Sequence, residues 1–246
     1  MSEQQFYDFK RRSGMTPSLG TQVARELGRS IVSGRHEIDS LIADEAALAE
    51  RFKVSRSVIR DAVKILVGKG LLDARRGIGT RVRSREHWGL LDDDVLAWHL
   101  SARPSAEYLE QLIEFRRVFE PKAAGWAAKR ASEASLGEIE AALQDMQAAQ
   151  GSVEAFVIAD ARFHATILKA AGNDFLLSLE GVIYSALLIS IQLTNREPSN
   201  SESSMPFHQT IWKAIAKGDE RGAERAMQRH LDDTGERLER ALENLD

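Results

Sequence analysis

Ionisable side chains lie on the predicted apolar faces of three helical segments. In "ADARFHATILKAAGN", Asp160 and His164 are four residues apart and share a helix face with phenylalanine and isoleucine side chains. His208 and His230 lie on the apolar sides of two later segments, "HQTIWKAIAKGD" and "AMQRHL". A carboxylate that faces a protein core is costly unless it is paired. The four groups therefore need a common explanation.

One divalent cation would satisfy all four groups, because imidazole and carboxylate are ordinary ligands of zinc, nickel and manganese. Two ligands at i and i+4 can bind one ion from a single helix, and neighbouring helices would supply the other two. For any single histidine, a hydrogen-bonded core residue is the simpler interpretation. For the set, we predict a metal site formed by Asp160, His164, His208 and His230, with zinc favoured over nickel or manganese.

Arg116 and Asn173 are candidate contacts for a small-molecule effector. Arg116 falls on an apolar helical stripe, so its guanidinium should point inward and require an anionic partner. A bidentate effector carboxylate would fit, and so would Glu120 one turn further on. Both partners remain open. Asn173 follows Gly172, and a turn residue at the helix end is its simpler interpretation.

Helical segments are the only elements predicted after residue 92, so residues 93–246 should form an all-α domain, a six- or seven-helix antiparallel bundle. Residues 1–15 are predicted to be a flexible N-terminal arm and residues 85–92 a linker. The segment "REPSNSESS", at 196–204, is the main polar break. The predicted helices cover 92–102, 105–131, 134–150, 152–171, 175–195, 204–217 and 219–244.

Residues 16–84 have the outline of a winged helix-turn-helix, which makes the whole protein mainly α. Three helical segments are followed by the short strands "LLDAR" and "TRVRS", and "RGIG" between them permits a hairpin turn. In such a domain the third helix enters the major groove of DNA and its first turns reach base edges. The predicted DNA contacts are Ser55, Arg56, Ser57 and Arg60 on this helix, and Arg75, Arg76 and Gly77 on the wing.

The charge distribution favours the same interpretation. Residues 1–85 contain 17 Lys and Arg against 10 Asp and Glu, a net charge of +7, whereas the remainder carries −11. A basic front and an acidic back suggest domains with different partners, the front one a polyanion. Ordinary surface variation is the alternative. A helix, a turn, a basic helix and a basic glycine hairpin in that order favour double-stranded DNA.

Composition excludes several classes of protein. With 43% hydrophobic and 28% charged residues, the 246-residue chain is of ordinary globular composition. There is no run of eighteen apolar residues, so we expect no membrane span. The first residues do not form a secretory signal, which predicts a cytoplasmic protein. The absence of cysteine excludes disulfides and thiolate metal ligands.

The segment "LIADEAALAERFKVSRSVIRDAVKILVGKGLLDARRGIGTRV" resembles the N-terminal domain of GntR-family bacterial transcription regulators. The resemblance implies that Arg56 and Arg60 are the recognition-helix arginines and Gly77 the wing-tip glycine. "DARFH", His208 and His230 in "AMQRHL" resemble the FCD ligand-binding domain of the FadR subfamily. In that family the four corresponding residues bind a metal at the centre of a helical bundle, and a small carboxylate often completes the coordination.

"LLDDDVLAWHL" and "EFRRVFEPKAAGWAAKRAS" most closely resemble the sugar-acid-responsive repressors of galactonate operons. The resemblance implies a homodimeric DNA-binding regulator, more a repressor than an activator, that is not an enzyme. A metal-dependent hydrolase is the alternative from another class. Such an enzyme combines its metal with a separate general base and an open coordination position. The chain has no HExxH and no nucleophile motif.

Overall fold

The computed structural model describes residues 17–101, 105–149, 151–186 and 199–243. The described residues divide into two compact units, an N-terminal one of residues 17–101 and a C-terminal one that begins at residue 105. Helices dominate both units, which confirms the predicted mainly α fold. The arm predicted at residues 1–15 lies outside the described residues.

Three helices of the N-terminal unit begin at side-chain caps. Ser18, Asp44 and Ser55 each accept a hydrogen bond from a backbone N–H in the first turn of the helix that follows. Lys53 adopts a left-handed conformation (φ 54°) and ends the second helix, which leaves a tight turn before the third. The helices are α1 (Leu19–Val32), α2 (Glu45–Phe52) and α3 (Arg56–Gly68).

A two-stranded antiparallel wing follows α3. Strand β1 (Leu72–Arg75) pairs with β2 (Gly79–Val82), and the register runs from Leu72 opposite Val82 to Arg75 opposite Gly79. Gly77 lies in the connecting turn with φ 80°, a conformation that costs glycine little. A 3₁₀ turn, Arg85–His87, follows the wing.

Helix α4 (Asp93–Ser101) belongs to the N-terminal unit. It packs against α1, and Val95 and Trp98 join the apolar core formed by α1, α3 and the wing. Gly28 makes this packing possible, because a Cβ there would lie 2.4 Å from ring atoms of Trp98. The structure therefore differs from the predicted start of the second domain at residue 93, since apolar burial joins α4 to the winged domain and the described residues of the second unit begin at 105.

The C-terminal unit is a helical bundle. Helix α10 (Glu220–Glu243) packs on α5 (Ala106–Arg130) and α9 (Ser199–Ala216). Helix α7 (Val153–Ala170) packs on α5 and α6 (Glu133–Ala148). Ser199, the first residue of α9, lies within the polar break predicted at 196–204. Residues 180–186 are also helical. In the described part of the chain, no helix is both long and apolar enough to span a membrane. The helices are α5 (Ala106–Arg130), α6 (Glu133–Ala148), α7 (Val153–Ala170), α8 (Asp174–Leu177), α9 (Ser199–Ala216) and α10 (Glu220–Glu243).

Candidate functional site

Three helices bring the four predicted metal ligands together inside the bundle. Asp160 and His164 lie one turn apart on α7, His208 lies on α9 and His230 on α10. All four side chains are buried. One ring nitrogen from each of the three histidines lies within 4.8 Å of the other two.

Asp160 connects two of these histidines. Its Oδ1 lies 3.0 Å from Nε2 of His208 and 3.3 Å from Nε2 of His164. Nδ1 of His208 donates to the backbone carbonyl oxygen of Ser204 over 2.9 Å, so Nε2 is the nitrogen that faces the cluster. When one ring nitrogen of a histidine donates to a carbonyl oxygen in this way, the orientation of the ring is fixed and the other nitrogen can bind a metal.

Glu120 is a fifth buried member of the cluster. Its carboxylate accepts hydrogen bonds from Nε and Nη2 of Arg116, one helical turn away on α5. It also accepts one from Nδ1 of His164 over 2.5 Å. The structure therefore contains the intramolecular bridge considered for Arg116. The i, i+4 spacing made this pair one of the two partners left open for Arg116, whereas the contact with His164, 44 residues away in sequence, had no signal in the sequence.

Opposite charges outweigh burial in setting the pKa values of three of these groups. Burial would raise the pKa of Glu120, but the Arg116 guanidinium and His164 lower it to about 2. Burial would lower the pKa of His164, yet the Glu120 and Asp160 carboxylates raise it to about 9. Burial would likewise raise the pKa of Asp160, but His208 and His164 hold it well below its usual value.

The pKa of His230 is shifted in the opposite direction to that of His164. Burial and the charges of His208 and His164 hold its pKa well below the usual value of histidine. Its imidazole is therefore neutral at pH 7 and keeps a lone pair for a ligand. Within the residues that the structure describes, Nδ1 of His230 is buried without a hydrogen-bond partner, and Nε2 of His164 has only its 3.3 Å contact with Asp160.

This donor set fits a divalent cation. Buried polar atoms without partners cost about 1–3 kcal/mol each, and a metal ion would engage them. Three imidazoles and one carboxylate are a common ligand set for zinc and are also suitable for nickel and manganese. His164 would release its proton on binding the ion, because a ligating imidazole must be neutral. The cluster could therefore hold a metal.

The two predicted effector contacts differ in what their side chains already bind. Arg116 is fully buried, and its Nη1 has no hydrogen-bond partner among the described residues. Asn173 caps α8 instead, because its side-chain oxygen accepts from the backbone N–H groups of Phe175 and Leu176. This matches the turn-residue interpretation of Asn173.

Helix α3 presents its predicted DNA contacts on one exposed surface. Ser55, Arg56, Ser57 and Arg60 are exposed, and the hydroxyl oxygens of the two serines lie 2.8 Å apart. The guanidinium of Arg56 has no ion pair within the described segments. Arg60, by contrast, pairs with Glu45 on α2.

The wing presents its predicted contacts at the exposed tip. Arg75, Arg76 and Gly77 are all exposed there. Nε of Arg75 lies 2.8 Å from a carboxylate oxygen of Asp73 on the same strand. The three residues follow one another in the hairpin, as the glycine-flanked sequence predicted.

Each of the two units matches the model of a known protein family. The model of the bacterial regulatory proteins of the gntR family matches residues 19–82, and the FCD domain model matches residues 111–233. The chain is 33% identical over 213 residues to the galactonate operon transcriptional repressor of Escherichia coli (strain K12), covering 86% of this chain and 93% of the relative. It is 32% identical to the transcriptional regulator LutR of Bacillus subtilis (strain 168), over 75% and 85% of the two chains.

The fold is similar to that of a solved regulator. The structure of Lar, which controls the expression of the Listeria monocytogenes agr system, superposes with a TM-score of 0.65 at 20% identity. The alignment covers 92% of this chain and 99% of that one.

The family and its relatives are transcription regulators and not enzymes, so the hydrolase alternative is not retained. The matches to both domain models, and a relative one third identical across most of the chain, lead to one conclusion. The protein belongs to the GntR family of bacterial transcription regulators, in which an FCD domain follows the DNA-binding winged helix-turn-helix.

Proposed function

We propose that this regulator is a cytoplasmic, homodimeric repressor that releases its operator when a small carboxylate binds at a metal site in the helical bundle. Two winged domains related by a two-fold axis would bind the two halves of a near-palindromic operator. The observation that carries the proposal is the buried convergence of Asp160, His164, His208 and His230.

The metal in this proposal is zinc, with nickel and manganese as the alternatives that metal analysis would identify. The four converging side chains would hold the ion, and a carboxylate or hydroxyl of the effector would complete its coordination. Nη1 of Arg116 is available for the same ligand, since Glu120 engages only Nε and Nη2. We do not extend the proposal to Asn173, because its side-chain oxygen caps α8.

A sugar acid such as galactonate is the proposed effector. Its support is the similarity to the E. coli relative, whose name refers to a galactonate operon and to repression. The chemistry of the site agrees with an acid, because a buried guanidinium favours an anion. A ligand can shift the DNA-binding equilibrium only by its different affinities for the two states of the protein.

On DNA, the proposal assigns base contacts to Arg56 and Arg60, since arginine can bind guanine through two hydrogen bonds. Ser55 and Ser57 are close to the same helix N-terminus and would bind phosphate or base. Contacts from the wing would come from its exposed tip, where Arg75, Arg76 and Gly77 lie.

A thermal-shift screen with the full-length protein tests the effector half of the proposal. Zinc-loaded protein should be stabilised by sugar acids and should lose that response after chelation, whereas neutral sugars should have no effect. The same acids should release a selected operator in a mobility-shift assay. Stabilisation by acids that is unchanged after complete metal removal would contradict the proposed coordination.

The variant Arg56→Ala tests the DNA half. Loss of one bidentate contact with guanine costs about 1–3 kcal/mol, a roughly 5- to 150-fold loss of specific affinity. Because Arg56 is exposed, the fold should persist, and circular dichroism checks this. Unchanged affinity for the selected operator would refute the assignment of α3 as the reading helix.

A further inference from the structure

Helix α2 places a carboxylate beside the predicted DNA-reading surface. Glu45 is the first residue of α2, directly after the capping residue Asp44. Its Oε2 accepts a hydrogen bond from Nε of Arg60 over 2.8 Å. Both side chains remain partly exposed, 42% for Glu45 and 61% for Arg60. The pair therefore lies where DNA would meet α3.

A carboxylate at this position opposes non-specific attraction to DNA. The first helix of a helix-turn-helix crosses the phosphate backbone, and a helix N-terminus in such a place ordinarily attracts phosphate. Asp44 and Glu45 put two acidic groups at the N-terminus of α2 instead. On DNA without the right base, the Glu45 pair would neutralise Arg60, so that Arg60 adds little to the counterion release that drives non-specific binding.

The same pair restricts how Arg60 can read a base. A guanidinium has five N–H groups, and guanine accepts two of them at O6 and N7. With Nε held by Glu45, the approach that uses Nε and one Nη is blocked. The end-on approach through Nη1 and Nη2 stays available.

We propose that Glu45 is a specificity-determining residue of DNA recognition, which holds Arg60 for an end-on contact with guanine and cancels its charge on other DNA. Glu45 acts through Arg60 and is a positioning residue. This inference rests on the proposed DNA-reading role of α3.

Glu45→Gln tests the proposal against the matched control Glu50→Gln. Glu50 is exposed on the same helix, so its variant removes the same formal charge without touching Arg60. On random-sequence duplexes, Glu45→Gln should raise affinity roughly two- to fivefold, the scale of an exposed ion pair. The slope of log affinity against log salt should steepen by up to about 0.9, one phosphate contact. Glu50→Gln should change the affinity and the slope less.

Base preference gives the second readout. At the base pair read by Arg60, selection from a randomised operator should show a guanine preference that falls at least about threefold in Glu45→Gln, because a good bidentate contact discriminates by roughly fivefold or more. In the Arg60→Ala background, where Glu45 has no guanidinium to position, the loss of guanine preference should vanish and the gain in affinity should shrink to that of Glu50→Gln. Unaltered melting temperatures would show that the variants fold.

The outcomes separate this proposal from the proposed function. If Glu45→Gln and Glu50→Gln behave alike on random DNA and in selection, or if the effect of Glu45→Gln persists without Arg60, the role of Glu45 is refuted while DNA reading stands. If the wild-type protein selects no sequence, the reading role of α3 fails, and with it the specificity role of Glu45.

Discussion

Replacing His208 with alanine should abolish the stabilisation that a bound metal gives to the C-terminal unit. The substitution removes one of the four proposed ligands and the partner that lies 3.0 Å from Asp160 Oδ1. An ion that binds only the folded state stabilises it by RT ln(1 + [L]/Kd), about 2.7 kcal/mol at a concentration of 100 Kd. A variant whose Kd exceeds the metal concentration gains almost nothing.

The measured quantity is the metal-induced rise in melting temperature within each protein. For a chain of this size, about 2.7 kcal/mol corresponds to a rise of roughly 5–11 °C in the wild-type protein. In His208→Ala the rise should shrink to within experimental error. Comparing each protein with and without zinc separates the metal effect from the cost of leaving Asp160 without a partner.

His87→Ala is the matched control, because His87 is exposed and lies in the N-terminal unit. It should retain the full rise. Metal content after dialysis should follow the same order, and the variant should still bind DNA while losing most of its response to sugar acids. A His208→Ala protein that keeps the wild-type rise at the same zinc concentration would refute the metal site.

Two further substitutions test the packing and the electrostatics of the N-terminal unit. Gly28→Ala should lower the free energy of unfolding by about 1–3 kcal/mol through overpacking, since the new Cβ would lie 2.4 Å from the ring of Trp98. In the helical control Gly68→Ala the new Cβ meets nothing within 4 Å, so denaturant titrations should show a neutral or slightly stabilising effect. Equal stability of the two variants would contradict the docking of α4. His99 should make the unit acid-sensitive, because burial and Arg85 outweigh its hydrogen bond with a backbone oxygen and lower its pKa from 6.5 to about 4. The contribution of neutral His99 to the free energy of unfolding is fully present above pH 6.5, and it falls by about 3 kcal/mol as the pH drops toward 4. The variant His99→Gln should flatten this part of a curve of stability against pH. An identical slope in that variant would assign the acid sensitivity to other groups.

Local patterns were sufficient to predict most of the elements and to single out the ionisable groups that face the bundle interior. Ser55 as a helix cap and Gly77 in a hairpin turn are short-range features, and the structure contains both. The spacing of Asp160 and His164 predicted a shared face, because i and i+4 meet on any helix. The prediction that these two residues converge with His208 rested on the apolar helix faces that carry all three side chains.

Other features required contacts between distant segments. Helix α4 resembles the other helical segments in sequence, and contacts with distant residues, such as the fit of Trp98 over Gly28, assign it to the winged domain. The contact of Glu120 with His164 and the pair of Glu45 with Arg60 join different helices. Neither pair is encoded by a local period.

The amino-acid sequence alone determined the order of the helices and strands, the basic face of the third helix and the ionisable groups on apolar faces, since periodicity and capping act within a few residues. The tertiary structure decided which partner each charged group takes. Arg60 binds Glu45 because α2 packs against α3. Arg116 binds Glu120 on its own helix, and the packing of α7 against α5 adds His164 to that pair. Inside the bundle, the Arg116 guanidinium and His164 lower the pKa of Glu120 to about 2, although burial alone would raise it.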